Sequence, residues 1–449
     1  MLWKLFVEIN ILGMVIANIF VASTYKHNDD NYECKLGAKT PYRCIANYDD
    51  APLKYAGCIP KKIWLLLRHG TRYPGSKYIP RMMDELPQLQ HIILENYKNG
   101  TTSLSADDAV LLKEWRFPLV PSDMMKLAAE GENEMNDLAE RYQARFSSLM
   151  PDTYSNQTYK FKFTSTQRTE ESAKHFAIGL FGWHNSQKVW YPKPVYQDPV
   201  IRFYKACPRW RQQVDKNPDA MLEKRRFLNS EVVADMLNNI TKRIAYKINY
   251  DTAHLMHTMC AFETAWNQSE VSPWCKIFSL NDFRVFEYAE DLEFYWIDGY
   301  GYRLTYEQAC PALKDMFDFF TSKEEQTAKV HFTHSGTVLK LLALLGVAKE
   351  AYPLMHDTFV LNERNERAWR SSIIDAFASN IAFVLYDCSS HGPSILFMLQ
   401  ERPVSLPHCP NGAPCPMSIM KTAYPDRDEE CQFDAMCRIE NKLHNTVSL

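Results

Sequence analysis

Residues 63 to 74 read Ile-Trp-Leu-Leu-Leu-Arg-His-Gly-Thr-Arg-Tyr-Pro, a short apolar run that breaks at once into two arginines and a histidine around Gly70. Guanidinium forks match the oxygens of a phosphate group, so Arg68 and Arg72 are suited to hold one through charged hydrogen bonds. His69 sits between them with a ring nitrogen able to attack phosphorus. Gly70 permits a tight turn, and Pro74 stops a strand or helix from running on. A phosphate monoester asks a catalyst for a nucleophile, for positive charge around the equatorial oxygens, and for a proton on the departing alkoxide. His69 answers the first. Arg68 and Arg72 answer the second, joined by Arg168 and His334, as preorganised electrostatic stabilisation. Nearby arginines also disfavour a protonated imidazole, which keeps His69 neutral.

The elements around these residues share one pattern. Ile63–Leu67 has the length of a buried strand bounded by turn signals. Phe161-Lys-Phe163 alternates as a strand, Thr164 to Arg168 form a polar turn, and a helix follows with Ala173, Phe176, Ala177 and Leu180 inward. Ala328–Thr333 reads as another strand, followed by His334 and by a leucine-rich helix that Gly346 caps. The runs 381–386 and 395–399 read as two strands joined by a turn. After Gly131, Met135, Leu138, Ala139, Tyr142 and Phe146 fall on one helical face, and Glu134, Asp137, Glu140 and Arg141 fill the other positions. Strands alternating with helices imply an α/β sandwich, whose ligands bind beyond the carboxyl ends of the strands. His69, Arg168 and His334 each follow a strand, so the three are expected to converge on one site.

The Arg-His-Gly-Thr-Arg-Tyr-Pro stretch resembles the signature of the histidine acid phosphatases, and its Tyr-Pro-Gly ending looks like the branch that holds phytases and inositol polyphosphate phosphatases. The resemblance extends through Arg168, Arg202-Phe203-Tyr204, Cys207 and His334. It implies a phosphoglycerate-mutase-like three-layer α/β sandwich with an inserted, mostly α-helical second domain. The chain pattern divides accordingly, with 24–87, 159–207 and 286–449 as the α/β domain and 88–158 and 208–285 as the helical one. The resemblance further implies a phosphohistidine at His69, phosphate held by Arg68, Arg72 and Arg168, and His334 as a catalytic partner. Inositol hexakisphosphate and related polyphosphates are the implied substrates, with 2,3-bisphosphoglycerate as another. Lys77, Arg81, Arg202 and Lys205 are candidates to widen the positive site. Disulfides Cys58–Cys388 and Cys260–Cys275 are implied in the same way.

One position departs from the family. Its later histidine is followed by Ala-Glu or by Asp, which protonates the leaving group; here it is followed by Ser335-Gly336. General acid catalysis is typically worth about 10² to 10⁴-fold in rate. Two readings follow: an enzyme in which another carboxyl, with Glu401 as the candidate, replaces the missing acid, or a protein that binds polyphosphates and turns over little.

Composition bounds the setting. A chain of 449 residues favours two or three domains, or one with a large insertion, and 46% apolar residues suffice for a sizeable core. A net charge of −3 argues against a general nucleic-acid-binding surface, so a site for a polyanion must gather its cations locally. Lys4 followed by the mostly apolar stretch Leu5 to Ala22 reads as a secretory signal, residues 1–23, with no membrane span left after cleavage. Twelve cysteines point to disulfides in an oxidising lumen, with Cys34–Cys44 a local bridge. Sequons at Asn99, Asn156, Asn239 and Asn267 fit a glycoprotein of the secretory lumen, cell surface or exterior. His254 and His257, without a carboxylate motif beside them, read as helix-surface residues; no metal or cofactor is expected.

Overall fold

The computed structural model describes residues 31–359, 367–424 and 431–439; the expected signal segment lies outside the described residues. Cys58–Arg68 forms β1, whose last six residues are all buried. A strand with no exposed face must be covered on both sides, and this one is the centre of the sheet. The sheet's other strands are β2 (Tyr159–Phe163), β3 (Ala328–Thr333), β4 (Asn380–Cys388), β5 (Gly392–Leu399) and two short ones, β6 (Arg402–Pro403) and β7 (Cys415–Pro416). The order is β2-β3-β1-β4-β5-β6, with β7 also on β5.

Register decides what the sheet presents at its edge. β1 and β3 run parallel with Arg68 opposite Thr333, and β2 and β3 run parallel with Phe163 opposite Phe332. The three strands therefore stop in line, and the residues after them emerge side by side. β4 is antiparallel to β1 with Asn380 opposite Leu67, so the segment entering β4 reaches the same edge.

The helices that matter here are α1 (Ile79–Lys98), α2 (Ala106–Glu114), α3 (Ala129–Arg145), α4 (Gln167–Ser186), α5 (Glu231–Ile244), α6 (Tyr250–Trp266), α7 (Leu280–Ile297), α8 (Cys310–Thr321) and α9 (Ser335–Leu344). α3 packs along α4, α4 lies on β2 and β3, and α8 and α9 lie on β1. α1 packs instead with α2, α5 and α6, forming the helical layer away from the sheet. The result is a mixed sheet sandwiched by helices with a further helical layer, the α/β architecture with a helical insertion.

Glu134 on α3 departs from the sequence expectation of a polar helix face. It is 6% exposed and accepts hydrogen bonds from the Thr71 amide (2.6 Å), the Thr71 hydroxyl (2.9 Å) and the Tyr42 amide (3.1 Å). Beside it, the turn at Gly70 meets Gly131 backbone to backbone: a Cβ at Gly70 would lie 2.4 Å from the Gly131 carbonyl oxygen, and one at Gly131 would lie 2.2 Å from that of Thr71. Glu134 and the glycine pair thus hold the loop after β1 against α3.

Six disulfides pair all twelve cysteines: 34–44, 58–388, 207–437, 260–275, 310–431 and 409–415. The three pairings expected from the sequence are among them. Cys58 and Cys388 also face each other across β1 and β4. Disulfides in this number belong to an oxidising compartment of the secretory type. Among the described residues, no helix is long and apolar enough to cross a membrane.

Candidate active site

A cleft of about 920 Å³ opens at the sheet edge where β1 and β3 stop, lined among others by Arg68, His69, Arg72, Lys77, Arg168, Arg202, Lys205 and His334. The imidazoles of His69 and His334, 265 residues apart in sequence (334 − 69), have ring centroids 5.6 Å apart at 67°. The expected convergence is what the fold produces.

Hydrogen bonds define the state of each ring. His69 Nδ1 lies 2.9 Å from the Gly70 carbonyl oxygen. A carbonyl only accepts, so Nδ1 carries the proton and Nε2 keeps its lone pair. His334 Nδ1 lies 3.2 Å from Arg168 Nη2; a guanidinium only donates, so this nitrogen is the acceptor. The His334 proton then sits on Nε2 and is donated to the Thr164 hydroxyl at 2.8 Å. Both rings are held well below the usual imidazole range, first by burial and then by the guanidinium of Arg168; Arg68 and His334 add to it at His69, and Arg202 at His334. Two neutral imidazoles thus face each other among cations.

Those cations crowd one another. Burial first, and then Arg168 and Arg68, push Arg72 down to about 9; burial and then Arg202 push Arg168 down to about 10. Both remain charged at neutral pH. Buried N–H groups at Arg68 Nε, Arg168 Nε and Arg202 Nε and Nη1 have no hydrogen-bond partner within the protein. Crowded, underpartnered guanidinium groups cost stability unless an anion meets them, so the arrangement is built to take a phosphate-like group. Arg68 lies over Phe377 and Arg72 over Phe262, with guanidinium carbons 4.8 Å and 5.6 Å from the ring centroids. Arg202, Lys77 and Lys205 lie over Tyr196, Tyr78 and Tyr204.

Three expectations change. Arg81 is outside the lining: its guanidinium is tied to Glu85 at 2.5 Å and to Asp251 at 2.8 Å. Glu401 is not a proton donor for this cleft, because Arg141, Arg145 and the Tyr42 hydroxyl engage both its oxygens and it is fully buried. His254 and His257 are not on the helix surface: His257 is 3% exposed and stacks on Phe286 at 4.3 Å, and His254 lines the cleft.

No motif marks Asp298 or Asp375 in the sequence. Asp298, the residue after α7, lines the cleft and pairs with the buried ammonium of Lys340. A Cβ at Gly336 would stand 3.2 Å from Asp298 Oδ1. Asp375 lies fully buried in the segment entering β4, with Arg68 Nη1 3.6 Å from its Oδ2 and the Ser335 hydroxyl bonded to that same oxygen. Asparagine side chains of the four sequons lie away from this cleft: Asn99, Asn156 and Asn239 are exposed and Asn267 is half-buried.

Comparison with known proteins agrees with the geometry. The family model of the histidine phosphatase superfamily (branch 2) matches residues 61–400. This chain belongs to that family. Proteins to which it is similar include multiple inositol polyphosphate phosphatase 1 of Drosophila melanogaster, 32% identical over 84% of this chain and 82% of that protein. The protein of the same name from Homo sapiens is 27% identical over 92% and 88%. Among solved structures, the phytase from D. castellii shares this fold with a TM-score of 0.70, 16% identity and coverage of 90% of this chain and 88% of that one. The Bifidobacterium longum multiple inositol polyphosphate phosphatase in complex with inositol hexasulfate gives 0.66 at 15% identity, covering 87% and 98%.

Proposed function

We propose that this chain is a phosphomonoesterase that removes phosphate from inositol polyphosphates, inositol hexakisphosphate among them, through a phosphohistidine at His69; 2,3-bisphosphoglycerate belongs to the same reading. The observation that carries it is the lone pair on His69 Nε2, left free by the bond from Nδ1 to the Gly70 carbonyl and set among three arginines. Nε2 attacks phosphorus as the bond to the leaving oxygen breaks. Arg68, Arg72 and Arg168 draw charge from the equatorial oxygens, with the His334 ring fixed between Arg168 and Thr164. Water then attacks phosphorus and frees His69. Lys77, Arg202 and Lys205 serve the further phosphates of a polyphosphorylated ring, the class of molecule that the relatives' names state for those proteins. The apolar stretch after Lys4, read as a signal segment at 1–23, and the four sequons support a setting in the secretory lumen, at the cell surface or outside the cell.

The experiment is phosphate release from inositol hexakisphosphate by the purified protein, with His69→Ala as control. Release that His69→Ala abolishes supports the enzyme. Gly336 favours a second reading, a polyphosphate-binding protein with little turnover. Tight binding of inositol hexakisphosphate without release, equal in wild type and His69→Ala, would establish that instead.

A further inference from the structure

If phosphate passes to His69 as proposed above, the departing alkoxide still needs a proton, and neither Ser335 nor Gly336 is an acid. Asp298 lines the cleft, but its carboxylate is engaged by Lys340, whose ammonium is boxed by Tyr204 and Trp210 at 4.9 Å and 4.2 Å. Its Oδ1 is thus committed to that ion pair. Asp375 differs. Its Oδ2 meets the Ser335 hydroxyl, its Oδ1 is buried with no partner, and Ser335 lines the cleft directly beside His334.

We propose that Asp375, acting through the Ser335 hydroxyl, delivers the proton to the leaving oxygen. The contact between the two runs in either sense: ionised Asp375 accepts from Ser335, and protonated Asp375 donates to Ser335 and leaves that hydroxyl's own proton free to point into the cleft. Burial is the largest influence on the carboxyl and lifts it to about 7; Arg68 on β1 and the Ser335 bond pull it down, and the carboxylates of Asp298 and Glu290 push it up. A phosphate held by Arg68 adds a further negative charge nearby and favours the protonated form.

Atoms balance in both halves. As the Nε2–P bond forms and the P–O bond breaks, Ser335 gives its proton to the leaving oxygen and takes the one on Asp375. The leaving group departs as an alcohol and Asp375 remains as carboxylate. When water attacks phosphorus and the Nε2–P bond breaks, the water proton returns through Ser335 to Asp375. Serine never becomes an alkoxide; it passes one proton while receiving another. Asp375 is therefore a positioning residue that holds the proton, and Ser335 the group that touches substrate.

Two substrates separate this role from a structural one. Inositol hexakisphosphate has alkyl leaving groups that need a proton, whereas dinitrophenyl phosphate releases a stable phenolate that does not. Asp375→Asn and Ser335→Ala in the full-length protein should each lose about 10² to 10⁴-fold on inositol hexakisphosphate while keeping most turnover of dinitrophenyl phosphate. Both should also lose the fall in rate that wild type shows as pH rises through the Asp375 titration. Adding Ser335→Asp to Asp375→Asn, which sets a carboxyl at the cleft itself, should restore turnover of the alkyl ester. Equal losses on both substrates, or no loss on inositol hexakisphosphate, would overturn the proposal. So would a loss confined to the alkyl ester in Asp298→Asn but absent in Asp375→Asn. If Asp375→Asn fails to fold, Ser335→Ala carries the same test. Failure of the underlying reading looks different: wild type would not take phosphate onto His69 from dinitrophenyl phosphate at all.

Discussion

At the scale of residues, the site works through protonation states that hydrogen bonds and burial impose. His69 is kept neutral by burial and four neighbouring basic side chains. Its attacking form therefore persists as pH falls through the ordinary imidazole range, and loss of the nucleophile by protonation sets in only well below 6.5. A pH–rate profile with dinitrophenyl phosphate, which needs no acid, should show no drop between about pH 7 and 6; a drop centred near 6.5 would mean that the ring titrates like an exposed one. Thr164→Val removes the acceptor for His334 Nε2 and leaves a buried N–H unpaired, a cost of about 1–3 kcal/mol. The expected result is a lower rate with substrate affinity little changed. Gly336→Glu is expected to gain nothing on its own, because its Cβ alone would stand 3.2 Å from Asp298 Oδ1, so the added side chain crowds an existing carboxylate. Arg68, His69, Arg72, Arg168 and His334 were legible because motif or strand position marks them, whereas His254, which also lines the cleft, was not. Asp375 was not, since an aspartate between Ile374 and Ala376 carries no motif and gains its role only through Arg68 and Ser335.

At the scale of elements, parallel strands ending in line do the assembling. The strand patterns at 63–67, 161–163, 328–333, 381–386 and 395–399 were readable because fully apolar or alternating runs with turn signals leave few other structures. Their order in the sheet was not, because which strand pairs with which depends on contacts between distant segments. Glu134 shows the same limit: periodicity puts it on the polar side of α3, yet the loop from β1 folds over that side and buries it. Glu134→Ala would strand the Thr71 and Tyr42 amides, a cost of about 3 kcal/mol or more, to be read as a lowered thermal midpoint together with loss of activity. Gly70→Ala should be worse for activity than for stability. It forces the loop off the Gly131 backbone and so shifts Arg68, His69 and Arg72 together; full activity in that variant would contradict the close approach.

At the scale of the molecule, a slightly acidic chain concentrates positive charge in one cleft, which steers polyanions there without a basic surface. Apparent affinity for inositol hexakisphosphate should therefore weaken steeply with salt, while turnover at saturation changes little. Disulfide 58–388, closing 330 residues of sequence, joins β1 to β4 next to the site's founding strand. Replacing both cysteines by alanine should cost about 2–5 kcal/mol, measured as a fall in thermal midpoint. These global features depend on composition, which is why compartment and charge were legible early while the cleft's carboxyls were not. The central claim is that His69 Nε2 bonds to phosphorus, and rapid acid-free quenching followed by mass spectrometry of the labelled peptide tests it most directly. Phosphate on His69, formed within the first turnover and absent in His69→Ala, is the expected result; release of phosphate with no label on His69, or with label on another residue, would contradict it.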